Sequence, residues 1–481
     1  MTKYDVIIIG GGITGSAIAR ELSHYKIKTA LLEKGLDIGL GATKGNGGVV
    51  HQGYDPIPGS VKAKINAQGA KQYPQLSKEL GFEISNPGLF VLGFGEADLK
   101  VLEHKLDYGI RNGIKEIRIV DKDTVKDREP HINPNVTHAL AVPSTTVVDP
   151  FEVALAFAEN AVDNGVSVFL GQAVKKIEKQ GQDFLVSTET KSYTTRYIVN
   201  AAGNHADDVA KLAGIEEYQM QPRHGDLLVF DREMDIKPQT VMFPCPGPDT
   251  KGIACIPTIH GNTIVGSTAT MMDDKDDVAN YKKGIAALID GVHHILPELD
   301  DKKIIRSFAG LRPVVLDHDN DFYIEISKTD SHFIHAAGIQ SPGVASAPAI
   351  AERVRDLLND AGLDLPRNLN FNPFRPAPTI FNVLSELEKN MLIKNNQSFG
   401  HVVCRCETVT EGEILAAIKG KIPATTVDGV KRRTRAGMGR CQSGFCQYKV
   451  LSILAREQQV AIEEILLEDP GSQLIFGKVK G

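Results

Sequence analysis

Four of the six cysteines sit near the C-terminal end, as Cys404-x-Cys406 and Cys441-x4-Cys446, with 34 residues between the two pairs. Thiolates so grouped can hold zinc, hold an iron–sulfur centre or pair as disulfides. Zinc sites usually use C-x2-C knuckles, and disulfides are disfavoured in a reducing compartment. A [2Fe-2S] cluster is normally held by four thiolates, the number present here, and Gly437, Gly439 and Gly444 would leave backbone N–H groups free to reach sulfur. All three centres stay open on spacing alone. Cys245 and Cys255 stand apart and read as small semi-buried side chains. Two further positions could do chemistry. His51 lies in the glycine-rich loop GNGGVVHQG, where an imidazole of pKa about 6.5 suits taking a proton from an alcohol at neutral pH. Arg312 stands between Gly310-Leu311 and Pro313, a rigid setting for a guanidinium fork that could clamp phosphate or carboxylate bidentately. The plain alternatives are a packing histidine and an ordinary salt bridge.

The elements that position these groups begin at the N-terminus. DVIIIGGGITGSAIARELSHYKIKTALLEK reads as strand, glycine turn, helix and second strand, with Gly10, Gly12 and Gly15 in G-x-G-x-x-G register. The first glycine permits the tight turn, the second lets backbone approach a pyrophosphate, and the third lets helix pack on strand. Phosphate then sits on the N–H groups at the helix start. Glu33, 18 residues after Gly15, closes the second strand where a carboxylate can accept from a ribose hydroxyl. Two later segments are also strands ending in small residues and passing into helices: Thr194 to Gly214 through Ala201-Ala202-Gly203, and the stretch from Phe333 through Ala336-Ala337-Gly338 to a helix near Gly343. Three such strand ends spread over one domain suggest an extended cofactor.

These segments, with GNGGVVHQGYDP from Gly45 and FAGLRPV from Phe308, resemble the FAD-dependent D-amino-acid-oxidase-like superfamily. Within it the chain is most similar to glycerol-3-phosphate oxidases and dehydrogenases and to L-2-hydroxyglutarate oxidoreductases, from about Tyr4 to Leu358. The resemblance implies FAD held by Gly10, Gly12, Ile13, Thr14, Gly15, Glu33, Lys34, Thr43, Asn46, Gly47, Gly48, Val49, Val174, Ala202, Gly203, Gly310, Arg312, Gly338, Gly343 and Val344. It implies His51 over the ring as catalytic base, with Arg312 and Ser341 reaching the substrate. Many relatives carry serine where this chain has Gly47, so a hydrogen bond made there is missing. The cysteine spacing resembles the bacterioferritin-associated-ferredoxin-like [2Fe-2S] domain over about Phe399 to Arg456, which implies Cys404, Cys406, Cys441 and Cys446 as ligands. It also implies a second flavoprotein subunit and a small cysteine-containing subunit as electron acceptors.

The expected fold class is α/β: a discontinuous Rossmann-type FAD domain (1–74, 147–217, 329–365), an inserted α+β substrate cap (75–146, 218–328), a linker wrapping the body (366–398), a small helical iron–sulfur domain (399–460) and a tail (461–481). In the small domain, Thr410 and Glu413 read as a capping box and Gln447 to Gln458 as a helix. Two short helices make little core, so a bound centre would stabilise them. At 481 residues, 42% hydrophobic and net charge −6, the chain reads as a soluble protein of several domains with no footprint for nucleic acid. The run Lys431-Arg432-Arg433 reads as a solvated face. No apolar run is long enough for a membrane span, and no secretory signal opens the chain, so a cytoplasmic address is expected. The leading expectation is a flavin dehydrogenase that oxidises a small anionic secondary alcohol, foremost sn-glycerol 3-phosphate, and passes electrons through the cluster to a protein. A 2-hydroxy acid such as L-2-hydroxyglutarate, an amine or amino acid, and a noncatalytic electron relay are its rivals.

Overall fold

In the computed structural model, which describes residues 2–247 and 252–477, the first sheet is built around the run Val6-Ile7-Ile8-Ile9. These side chains are almost wholly buried on both faces, as expected of a central parallel strand covered by helices. That strand, β1 (Lys3–Ile9), leads into α1 (Ile13–Leu22) and β2 (Thr29–Leu32); α2 (Pro150–Asp163), β3 (Ser167–Phe169), β4 (Ser192–Asn200), β5 (Tyr323–Ile326), β6 (Phe333–Ala337) and α3 (Gly343–Asp360) complete the layer. The order is β5-β6-β4-β1-β2-β3, and all neighbours are parallel except the β5/β6 pair. Strands Val174–Gln180 and Asp183–Thr188 extend it antiparallel from β4. Helices α1, α2 and α3 pack through Ile18, Leu22, Phe157 and Ile350 into one apolar core with the sheet.

The second sheet is largely antiparallel. Its spine is the long pair Met220–Phe230 and Ile304–Val315, and strand Val241–Pro244 runs parallel to Leu89–Gly93, tying the two inserted blocks together. Leu288, Val292 and Ile295 of helix Lys282–Ile295 cover one face together with Leu228, Phe230 and Val265. Two elements lie elsewhere than expected. Strand β5, expected in the cap, pairs with β6 in the first sheet. Helix Tyr73–Leu80 buries Tyr73, Leu76 and Leu80 in the first core, although Gln75 was expected to open the cap.

Residues 366–380 follow the surface of the first domain. The Pro366 carbonyl accepts from Lys26, and Arg375 holds Glu159 and the Leu80 carbonyl. The expected linker is not wholly irregular, because it contains α4 (Glu386–Asn395), started by a Ser385/Glu388 capping box. The C-terminal unit has three helices, α5 (Glu411–Ile418), α6 (Val427–Thr434) and α7 (Gln447–Gln458), where two were expected. Val427 and Val430 of α6 join Ile414, Leu451 and Leu454 in a core of their own, and Ile465 from the expected tail closes it. The Thr410/Glu413 capping box is present.

The run on α6 is a correction. Arg432 and Arg433 are not solvated: their side chains are 8% and 7% exposed. Arg433 grips both oxygens of Asp37 at 2.7 and 2.8 Å, Arg432 donates to the same carboxylate at 2.8 Å, and Arg432 also pairs with Glu468. Burial raises the Asp37 pKa, but the hydrogen bonds and charges of Arg433 and Arg432 outweigh it and hold the group below its ordinary value. Thus the C-terminal unit is bolted to the first domain through charge. Among the described residues no helix is long and apolar enough to cross a membrane.

Candidate active site

The nucleotide end is shaped by the absence of side chains. A Cβ on Gly15 would lie 1.9 Å from the Gly10 carbonyl oxygen, and one on Gly10, whose φ is +110°, would lie 2.4 Å from the Ala201 carbonyl oxygen. Helix α1 and the end of β4 are therefore drawn against the turn. The start of α1 has no acidic residue and no side-chain cap, so its positive end is open to an anion. Ile13 departs from the open pattern, because its amide donates to the Thr43 hydroxyl at 3.0 Å. Glu33 accepts from the amides of Gly11 and Gly35 at 2.6 and 2.7 Å, and burial raises its pKa. Gly10, Gly12, Ile13, Thr14, Glu33, Lys34, Thr43, Val174, Ala202 and Gly203 all line one cavity of about 1170 Å³. Its lining, with the anion-ready start of α1 and the Glu33 carboxylate, fits a dinucleotide.

A second cavity of about 1160 Å³ lies under the other sheet and is lined by Val49, His51, Arg223, Gly310, Arg312 and Ser341. Asn46, Gly47, Arg312, Ser341, Gly343 and Val344 line both cavities and form the wall between them. Gly45 and Gly310 let the loop touch the long strand, since a Cβ on Gly310 would lie 2.1 Å from the Gly45 carbonyl oxygen. A Cβ on Gly47 would come within 2.7 Å of Ile256 Cδ1, so a serine there would need that side chain to move. Gly15, Gly48 and Gly338 line neither cavity; they act through backbone, with φ of +74° at Gly48 and +67° at Gly338. His51 is 8% exposed, and its carbonyl accepts from Asn66.

Arg312 does not present the expected bidentate fork. Its Nε donates to the Arg223 carbonyl at 3.4 Å, and Nη2 donates to the His224 carbonyl at 3.3 Å and to the Thr268 carbonyl. Among the described residues, Nη1 alone is left to meet a ligand. Arg223 stands directly opposite on the paired strand, and neither guanidinium has a carboxylate partner among the described residues. Two like charges in register destabilise a sheet unless an anion joins them. Burial, and secondarily Arg223, push the Arg312 pKa down to about 10. Arg223 escapes sequence reading because only the register with Arg312 marks it.

At the C-terminal unit the cysteines come together as two close pairs. Cys406 and Cys441 have their sulfurs 3.5 Å apart, and Cys404 is hydrogen-bonded to Cys446. The Cys446 contact lowers the Cys404 thiol to about 6 and raises that of Cys446, while burial raises Cys406. Among the described residues no three His, Cys, Asp or Glu side chains converge as ligands of one ion would. Two pairs fit a centre with two metal atoms better than a single zinc. Gly439 keeps the loops close, since its Cβ would lie 2.3 Å from that of Cys406. The unit also rests on the second sheet: Arg232 donates to the Cys406 carbonyl, and Arg435 bridges Glu407 at 2.9 Å and Asn262 at 3.3 Å.

Residues 5–357 match the family described as FAD-dependent oxidoreductase. The chain belongs to that family. In this FAD-dependent oxidoreductase, residues 402–456 further match the BFD-like [2Fe-2S] binding domain. A glycerol 3-phosphate dehydrogenase of Caloramator mitchellensis is 40% identical over 477 residues, covering 99% of both chains. A glycerol 3-phosphate oxidase of Mycoplasma genitalium is 32% identical over 387 residues, 78% of this chain and 98% of that one. Among solved structures, dithionite-reduced L-α-glycerophosphate oxidase of Mycoplasma pneumoniae with FAD bound has a TM-score of 0.76 at 32% identity, covering 79% of this chain and all of that one. The α/β FAD-binding fold, the FAD and the [2Fe-2S] domain expected from sequence therefore stand.

Proposed function

We propose that this oxidoreductase is a dehydrogenase that converts sn-glycerol 3-phosphate to dihydroxyacetone phosphate and passes the electrons through the cysteine module to a partner protein. The observation that carries the reading is the in-register pair Arg223 and Arg312, without a carboxylate partner among the described residues and lining, with His51, a cavity that shares a wall with the nucleotide cavity. Bound FAD supplies a two-electron acceptor, and the iron–sulfur centre a one-electron exit. The chain's own residues do the rest. Nη1 of Arg312 and the Arg223 guanidinium hold the phosphate, Ser341 meets the carbinol end, and the imidazole of His51 takes the hydroxyl proton as the carbinol hydride departs. Gly10, Gly12 and the open start of α1 would hold the pyrophosphate, and Glu33 would take the ribose. The thiolates of Cys404, Cys406, Cys441 and Cys446 would hold the cluster. The relatives support this assignment. The relative named a dehydrogenase matches nearly the whole chain, whereas the one named an oxidase leaves about a fifth of it unmatched, a share comparable to the cysteine module with its tail. An oxidase that gives electrons to oxygen has no use for that exit.

The test is anaerobic stopped-flow bleaching of the flavin against glycerol 3-phosphate, 2-hydroxyglutarate, lactate and proline. Glycerol 3-phosphate should reduce fastest, and His51→Ala should slow reduction about 10²- to 10⁴-fold. Faster reduction by another compound, or an unchanged rate in the variant, would remove the substrate or the base from the proposal.

A further inference from the structure

Phe445 is 83% exposed and Tyr448 67%, although each lies within two residues of the buried Cys446. Tyr448 stands in the first turn of α7, whose apolar face, Val450, Leu451, Ile453 and Leu454, is already spent on the module's own core. Both aromatics thus lie open to solvent immediately beside a cysteine of the module. Aromatic residues and arginine are also the types enriched at the centre of protein interfaces.

The charge carried by their neighbours in sequence leans positive. The chain carries −6 overall, yet from Arg435 to Val450 and from His401 to Cys406 there is no acidic residue. Glu407, next in line, is buried and tied to Arg435 and Arg232. Arg405, between the first two cysteines, and Lys449 are exposed and have no ion pair among the described residues. Arg440 pairs with Asp231 and Glu233, which follow the strand Met220–Phe230 of the second sheet. On a chain of net charge −6, the unpaired cations Arg405 and Lys449 favour an acidic partner at this face.

We propose that this face, centred on Phe445 and Tyr448 and rimmed by Arg405, Arg440 and Lys449, is the docking surface for an acidic one-electron carrier protein. The inference rests on the reading that electrons leave through the cysteine module. Oxidation of one alcohol to a ketone releases two electrons and two protons, so two carriers dock and are reduced in turn while two protons pass to water. A lipid surface is disfavoured because the exposed apolar side chains are two residues on a loop and a helix start, with no free amphipathic face.

Binding is measured on the oxidised holoprotein with an acidic blue-copper protein as probe and a basic cytochrome c as its charge-reversed control, at about 20 and about 200 mM salt. Electron delivery is then followed after reduction with dithionite. The acidic carrier should bind and be reduced, with affinity falling about 10-fold or more at the higher salt. The double substitutions Phe445→Ala/Tyr448→Ala and Arg405→Glu/Lys449→Glu should each weaken binding at least about 10-fold, while anaerobic bleaching by glycerol 3-phosphate stays as in the parent. Preference for the basic carrier, undiminished binding in both variants, or loss only of binding to anionic phosphatidylserine vesicles would overturn the surface. If glycerol 3-phosphate bleaches no flavin, the activity reading falls, and carrier binding to the oxidised protein still decides the surface separately.

Discussion

Replacing Arg312 with methionine keeps much of the apolar stem and removes the guanidinium. Three of its five N–H groups are spent on the carbonyls of Arg223, His224 and Thr268, so the two on Nη1 are what an anion can take. A hydrogen bond to a charged group contributes about 1.5–3 kcal/mol, which puts the loss of both at about 3–6 kcal/mol. At about 1.4 kcal/mol per factor of ten, kcat/KM for glycerol 3-phosphate should fall roughly 10²- to 10⁴-fold, toward the lower figure because Arg223 stays. Glycerol, with no anion, supplies the control. Its much poorer kcat/KM should change by less than about 10-fold, so the ratio between the two substrates narrows. Arg312→Lys keeps the charge but cannot satisfy three carbonyls and a phosphate from one ammonium, and should lie between parent and methionine variant. Equal losses on both substrates would mean that Arg312 supports the sheet rather than the phosphate, and the reasoning would fail.

Two further predictions concern carboxylates: Asp37, which is buried, and Glu152, which is half-buried. Asp37→Ala leaves Arg433 without an acid and Arg432 with Glu468 alone, and breaking such a buried pair costs about 3–5 kcal/mol, read as earlier urea unfolding or proteolysis of the C-terminal unit. Because the folded pKa of Asp37 is depressed, its contribution is present above the unfolded value of about 3.9 and is lost as pH falls through the folded one. The gap between parent and variant should therefore close in acid, and a gap independent of pH would contradict the ion pair. Glu152 is the opposite case: burial, aided by the charge of Asp149, pushes it up to about 8. A raised carboxyl stabilises below its unfolded pKa and loses that contribution as pH rises toward the folded value. Glu152→Gln should match the parent near pH ~4.5 and melt about 2–4 °C higher above pH ~8, for each kcal/mol recovered. The same melting difference at both pH values would show that Glu152 is ionised in the folded chain.

Much of the nucleotide cavity is legible in the sequence because its determinants are local. Gly10, Gly12 and Gly15 follow an apolar strand at fixed spacing, and the steric reason reappears in the structure as missing room for a Cβ. The Thr410/Glu413 cap is local as well, a hydroxyl and a carboxylate three residues apart. Strand β5 is different. Its residues suit either sheet, and only pairing with β6 decides which one it joins. Arg223 lies 89 residues from Arg312, and nothing around it signals that register. The fork expected of Arg312 fails for a related reason, since its neighbours GLRP say nothing of the three carbonyls that the opposite strand and the Thr268 turn bring to it.

The run Lys431-Arg432-Arg433 shows how a charge pattern can mislead. Exposed basic runs are common, and a buried arginine is tolerated only when paired; the partner Asp37 lies 395 residues away from Arg432 in the chain. Apolar contact alone would leave the C-terminal unit free to slide, because it is non-directional. A carboxylate gripped bidentately by Arg433 and again by Arg432 fixes orientation as well as contact. Arg232 to the Cys406 carbonyl and Arg435 to Asn262 add a second anchorage on the other sheet. The two anchorages hold the cysteine loops against both bodies that enclose the nucleotide cavity, whose lining runs on to Arg435, Met438 and Gln442. The position of the module is therefore specified by buried charge, where buried area would have sufficed for stability alone.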